Sequence, residues 1–134
     1  MARKVLTYTV TDEGRDLGKA FVLTEMSATQ AERWGMRAMM ALLKGDVELP
    51  EDAISGGLQA LAAAGFKAFG KIDYADAAPL LDEMMTCVTF MPDPARPQVV
   101  RRLMDDDIEE VVTRLRLRAE IFKLHVSFSA AGAP

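Results

Sequence analysis

The chain predicts an α+β fold, mainly α, in which an N-terminal antiparallel β-hairpin packs on a small bundle of about four helices. Three stretches carry that expectation. Val5 to Val10 alternates, with Leu6, Tyr8 and Val10 on one side and Val5, Thr7 and Thr9 on the other, as a half-buried strand does. Ser27-Ala28-Thr29-Gln30 has the S-x-x-Q spacing of a capping box and opens an apolar-rich run that reaches Gly45, a natural C-terminal stop. Asp105 to Phe128, DDDIEEVVTRLRLRAEIFKLHVSF, places acids first and cations later with no Gly or Pro between them, which complements a helix dipole.

At 134 residues the chain suits one domain, expected over 1–129, with 130–134 as a frayed tail. Half the residues are apolar and 27% are charged, as in folded proteins that live in water. The net charge of −4 argues against sequence-independent nucleic-acid binding, which needs a basic surface. A single cysteine, Cys87, excludes an internal disulfide and any multi-thiolate metal site. The opening MARKVLTYTVTDEG turns polar too early for a signal peptide, and no apolar run reaches the length of a membrane span. A cytoplasmic protein without a membrane partner is expected. Nine methionines are many for this length, and their flexible side chains suit adaptable binding surfaces.

The elements follow in order. After the first strand, the polar TDEGRDLGK reads as a turn, and Ala20 to Met26 reads as the second strand of a hairpin. Leu6, Tyr8 and Val10 are expected to face the helices. The first helix should run from the Ser27 cap to Gly45. Gln30, Arg33, Arg37 and Lys44 form a narrow polar arc there, while Trp34, Met36, Ala38, Met39, Met40, Ala41, Leu42 and Leu43 wrap the remainder. So broad an apolar surface marks a central helix or one with an extra partner. Pro50, Glu51 and Asp52 suit a helix start, so Glu51 to Ala64 reads as a second helix, weakened by Gly56-Gly57. Tyr74 to about Cys87 reads as a third, with Leu80, Leu81, Met84, Met85 and Val88 as its apolar set. Pro92 to Pro97 forms a rigid loop, and Val99 to Met104 is apolar without a clear type.

The last helix carries apolar residues on two opposite arcs of the wheel. One collects Ile108, Val111, Val112, Leu115, Ala119, Phe122 and Val126; the other holds Leu117, Ile121, Leu124 and Phe128. Such a helix is either sandwiched within its own domain or docked by one stripe on a partner. The broader arc is assigned to the core and the narrower one to self-association or partner binding.

Chemistry is poorly supported. Gly65-Phe66-Lys67-Ala68-Phe69-Gly70-Lys71 matches a phosphate-binding loop until Ile72 stands where Ser or Thr must hold Mg²⁺. Asp105, Asp106, Asp107, Glu109 and Glu110 adjoin one another without the spacing of a calcium loop, so helix-start stabilisation explains them better. Cys87 and His125 are the only thiol–imidazole pair on offer, and Cys87 lies in the apolar MMTCVTF. No catalytic, cofactor-binding or metal-ligating residue is assigned, and the chain is not expected to be an enzyme.

Two stretches, FVLTEMSATQAERWGMRAMMALLK (Phe21 to Lys44) and MDDDIEEVVTRLRLRAEIFKLHVSFS (Met104 to Ser129), resemble the tail assembly chaperones of long-tailed bacteriophages and prophages. The order between them is similar too: strand, capped helix, Ala-rich middle, a turn carrying Met84, Cys87, Phe90 and Pro92, and the acidic opening of the last helix. The resemblance implies a chaperone in the host cytoplasm that binds the tape measure protein, helps recruit the major tail protein and is absent from the finished virion. It also implies frequent company of a longer, frameshifted product. The family brings no catalytic residues. From the helix wheels, the interaction positions expected are Leu117, Ile121, Leu124 and Phe128, and next Met36, Met40 and Leu43. Homo-oligomerisation is expected with them. The alternative reading is a small structural tail-completion or connector protein of the virion.

Overall fold

A computed structural model describes residues 3–44 and 72–126. The expected helix Glu51–Ala64, the near-motif from Gly65 to Lys71, Phe128 and the tail lie outside them. The chain divides into two compact units, Met1–Glu25 with Met84–Leu124, and Met26–Glu83 with His125–Pro134. The class is α+β.

The first unit is built on a four-stranded antiparallel sheet. Its strands are β1 (Val5–Thr9), β2 (Ala20–Thr24), β3 (Val88–Met91) and β4 (Arg101–Arg102), in that spatial order. The expected hairpin is therefore half of a larger sheet. Val5 pairs with Thr24 and Thr9 with Ala20, while Phe21 pairs with Phe90 and Phe90 with Arg101. This register lines Tyr8, Phe21, Phe90 and Arg101 across all four strands on one face. The Phe21 and Phe90 rings sit 5.2 Å apart, and the Arg101 guanidinium lies 5.0 Å above the Phe90 ring. Phe21, Leu23 and Val88 are buried on that face, Tyr8 is half-buried and Leu6 remains exposed.

β3 overturns part of the expected third helix. That helix stops at Met85, the Cys87 N–H donates to the Met84 carbonyl, and Val88-Thr89-Phe90-Met91 enters the sheet. Residues so rich in β-branched and aromatic side chains suit a strand flanked on both sides. The proline loop turns on Asp93, whose carboxylate accepts the Ala95 N–H and whose carbonyl accepts the Arg96 N–H.

The acidic opening of the last helix is not α-helical. Asp105–Asp107 form a single 3-10 turn, Ile108 is extended, and the helix proper, called α3 here, spans Val111–Val126. Asp107 works instead as an acceptor for Arg101, which reaches both carboxylate oxygens at 2.6 and 2.9 Å, and for the Met104 N–H at 2.7 Å. The start of α3 is capped from the β1–β2 loop. The buried Asp16 carboxylate accepts the N–H groups of Glu109 and Glu110 and the Thr113 hydroxyl, the last at 2.6 Å. Lys19 closes the cluster, 2.9 Å from Asp16 and 3.0 Å from Glu109. Burial alone would raise the Asp16 carboxyl, but Thr113, Glu109, Lys19 and Glu110 outweigh it and hold it at about 2. The loop reaches this position through Gly18, whose φ of 86° favours glycine, and Gly14, where a Cβ would stand 3.2 Å from Glu110. Farther along, Arg116 pairs with Asp12 and the Lys4 ammonium donates to the Leu124 carbonyl, so α3 runs antiparallel to β1.

The two stripes of α3 are reversed relative to expectation. Leu117, Ile121 and Leu124 are 0, 1 and 9% exposed, whereas Val111, Val112 and Leu115 are 73, 42 and 57% exposed. The inward line runs Thr113, Leu117, Ile121, Leu124, at helical spacing. Two causes account for the reversal. Ile108 precedes the helix and so does not belong to its wheel, which shortens the broader arc. Thr113, a polar residue on the wheel, is buried by its bond to Asp16 and extends the narrower one. Ile108 and Phe122 are buried as expected.

In the second unit, α1 (Ala28–Lys44) starts where Ser27 was expected to cap it, with Ser27 Oγ accepting the Gln30 N–H at 3.2 Å. The Gln30 side chain does not complete the box. It donates to Glu83 instead, on α2 (Tyr74–Met85). α1 buries Trp34, Gly35, Ala38, Met39, Ala41 and Leu42, a continuous helical stripe.

Candidate functional site

Among the described residues, the strongest candidate is the face shared by α1 and α2. Trp34 anchors the pair by donating from its indole N–H to the Leu80 carbonyl at 2.9 Å. Arg37 pairs with Glu83, and Lys44 with Asp76 at 3.2 Å, so the two helices run antiparallel. Burial pushes the Glu83 carboxyl up, but Arg37 and Gln30 outweigh it and leave it below its ordinary value. These charges bracket a groove of about 320 Å³ lined by Met40, Ala41, Ala75, Pro79 and Leu80, with Arg37, Lys44 and Asp76 at its rim. Pro79 lies inside α2 and has no N–H, so the carbonyl one turn earlier, at Ala75, lacks its helical donor beside the groove.

Met36, Met40 and Leu43 lie on the outward side of α1 at i, i+4 and i+7. They are 44, 60 and 56% exposed, so all three expected positions stand on one open face. Leu117, Ile121 and Leu124 are core residues of the chain, and their assignment as an exposed interaction stripe is corrected. Phe128 lies outside the described residues. The sequence reading missed the wall that α2 contributes, Ala75, Asp76, Pro79 and Leu80. The signal available was the match between the cations of α1 and the acids at positions 76 and 83.

Cys87 is buried and in no disulfide, and the His125 Nε2 accepts the Met26 N–H at 2.8 Å. Among the described residues no cluster of three or more His, Cys, Asp or Glu residues is placed to hold a metal ion, and no helix is long and apolar enough to cross a membrane. Comparison with protein-family models, curated proteins and solved structures finds no match to this chain.

Proposed function

We propose that this chain is a tail assembly chaperone of a long-tailed bacteriophage or prophage. In this reading it works in the host cytoplasm, holds the tape measure protein and helps recruit the major tail protein. The observation that carries it, beyond the resemblance of the two quoted stretches, is the exposed Met36–Met40–Leu43 stripe beside the α1–α2 groove. Spacing of i, i+4 and i+7 on an open helix presents a continuous apolar line to a helical partner. Methionine adapts to irregular partner surfaces, which suits a client that changes shape as the tail tube forms around it. The groove offers room for an apolar anchor, and its charged rim is already paired, so docking there strands no charge.

The test is co-expression with the tape measure protein. The native chain should keep it soluble and co-purify with it. Met36→Glu combined with Met40→Glu should weaken that association by about tenfold or more while shifting stability by no more than about 0.5 kcal/mol per site. A tape measure protein equally soluble and unbound with or without this chain would sink the reading. Mass spectrometry of purified particles should find the chain absent; stoichiometric presence would establish the structural virion role instead.

A further inference from the structure

The two edges of the sheet are treated very differently. The β4 edge is two residues long, both arginines, and follows the proline loop. Short, charged edges next to proline resist pairing with other chains. The β1 edge has none of these protections. Val5-Leu6-Thr7-Tyr8-Thr9 contains no Pro, Gly or charge, and all but the half-buried Tyr8 are exposed. β1 bonds to β2 through its even positions: the Glu25 N–H donates to the Lys4 carbonyl at 3.0 Å, and the Val10 N–H to the Lys19 carbonyl at 2.9 Å. Alternation then directs the N–H and C=O groups of Val5, Thr7 and Thr9 away from the sheet.

We propose that this edge pairs with β1 of a second copy of the chain, antiparallel about a two-fold axis at Thr7. In that register Thr7 faces its own copy, Val5 faces Thr9 and Leu6 faces Tyr8. Only outward-directed backbone groups meet, so the ladder is continuous, and an aliphatic side chain lies against an aromatic one on the face that carries Phe21. The ends of the strand select this occupant and direction. Arg3 and Lys4 precede β1, and Asp12 and Glu13 follow it. Antiparallel pairing carries the basic end of each strand to the acidic end of the other; parallel pairing would stack like on like. Arg3 and Glu13 are exposed and make no ion pair among the described residues, so both are available. The proposal does not depend on the tape measure protein and is tested without it.

The full-length chain is studied by sedimentation, with circular dichroism as the fold control. The native protein should be a dimer. Thr7→Pro removes an outward N–H that β2 does not use, a position where an edge strand tolerates proline, and should give a folded monomer. Arg3→Glu sets like charges against each other across the axis and should raise the dimer dissociation constant about tenfold, as should Glu13→Arg. The double variant Arg3→Glu/Glu13→Arg should restore native affinity. A monomeric native protein overturns the proposal, as does a dimer that survives Thr7→Pro but is lost in Met40→Glu. Failure of the double charge swap to rescue overturns the antiparallel register. A monomer that binds a foreign extended peptide, sensitive to Thr7→Pro, shows that the edge takes another protein's strand, which also overturns pairing between copies.

Discussion

The Asp16 carboxylate links three parts of the first unit: the β1–β2 loop, the 3-10 turn region and the start of α3. Its folded value of about 2 lies below the ordinary 3.8. The stabilisation it supplies is therefore complete above the unfolded value and is lost as pH falls from about 3.8 towards 2. A displacement of that size corresponds to roughly 2 kcal/mol. Asp16→Asn keeps one acceptor oxygen but aims an amide at groups that are themselves donors. It should cost about that much near neutral pH and flatten the acid limb of a urea-midpoint profile between pH 5 and 2. Asp107, Glu83 and Glu110 are also held low by cationic partners, so the native protein loses stability in acid through several groups. The difference between native and variant isolates Asp16; parallel profiles would refute its role. Ser27 was legible as a cap because its acceptor and donor are three residues apart. Asp16 was not, because the groups it caps lie more than ninety residues away.

At the scale of elements, the sequence carried type better than orientation. Strands β1 and β2 and helix α1 followed from alternation, capping and stops. α3 was found, but its inward side was not, because both arcs are apolar enough and the deciding partner, Asp16, is remote in sequence. The corrected orientation has a direct consequence. Leu117→Ala removes a fully buried side chain and should cost about 2–5 kcal/mol, whereas Leu115→Ala, on the exposed side, should stay within about 0.5 kcal/mol. Chemical denaturation of the two variants decides it, and equal losses would mean that both sides of the helix are covered. β3 was missed for a related reason. Met84 and Met85 continue the apolar set of α2 into Val88, and nothing local marks where helical spacing gives way to strand pairing. The pairing partner in β2 lies on the far side of α1 and α2 in the chain. Of the candidate site, Met36, Met40 and Leu43 were legible from spacing alone. The α2 wall was not, since only the fold brings Asp76 and Glu83 to the cations of α1.

For the whole molecule, the order of the chain and the order of the units differ. The sheet draws on the beginning of the chain and on its later part, with α1 and α2 between them. A chain divided after Glu83 separates β1 and β2 from β3, β4 and α3. The piece 84–134 alone should therefore show no cooperative unfolding, and adding the piece 1–83 should restore it, as followed by circular dichroism. A cooperative transition in 84–134 alone would show that β3 and β4 need no β2. The β2–β3 pairing also closes a long loop, which slows folding relative to a bundle with local contacts. The place where that loop leaves and returns has a further meaning. The Thr24 N–H donates to the Cys87 carbonyl at 2.9 Å, so departure and re-entry occur on adjacent strands at a set spacing. Loop-closure entropy grows only slowly with length. The closure cost of joining β2 to β3 thus changes little with the number of residues between them.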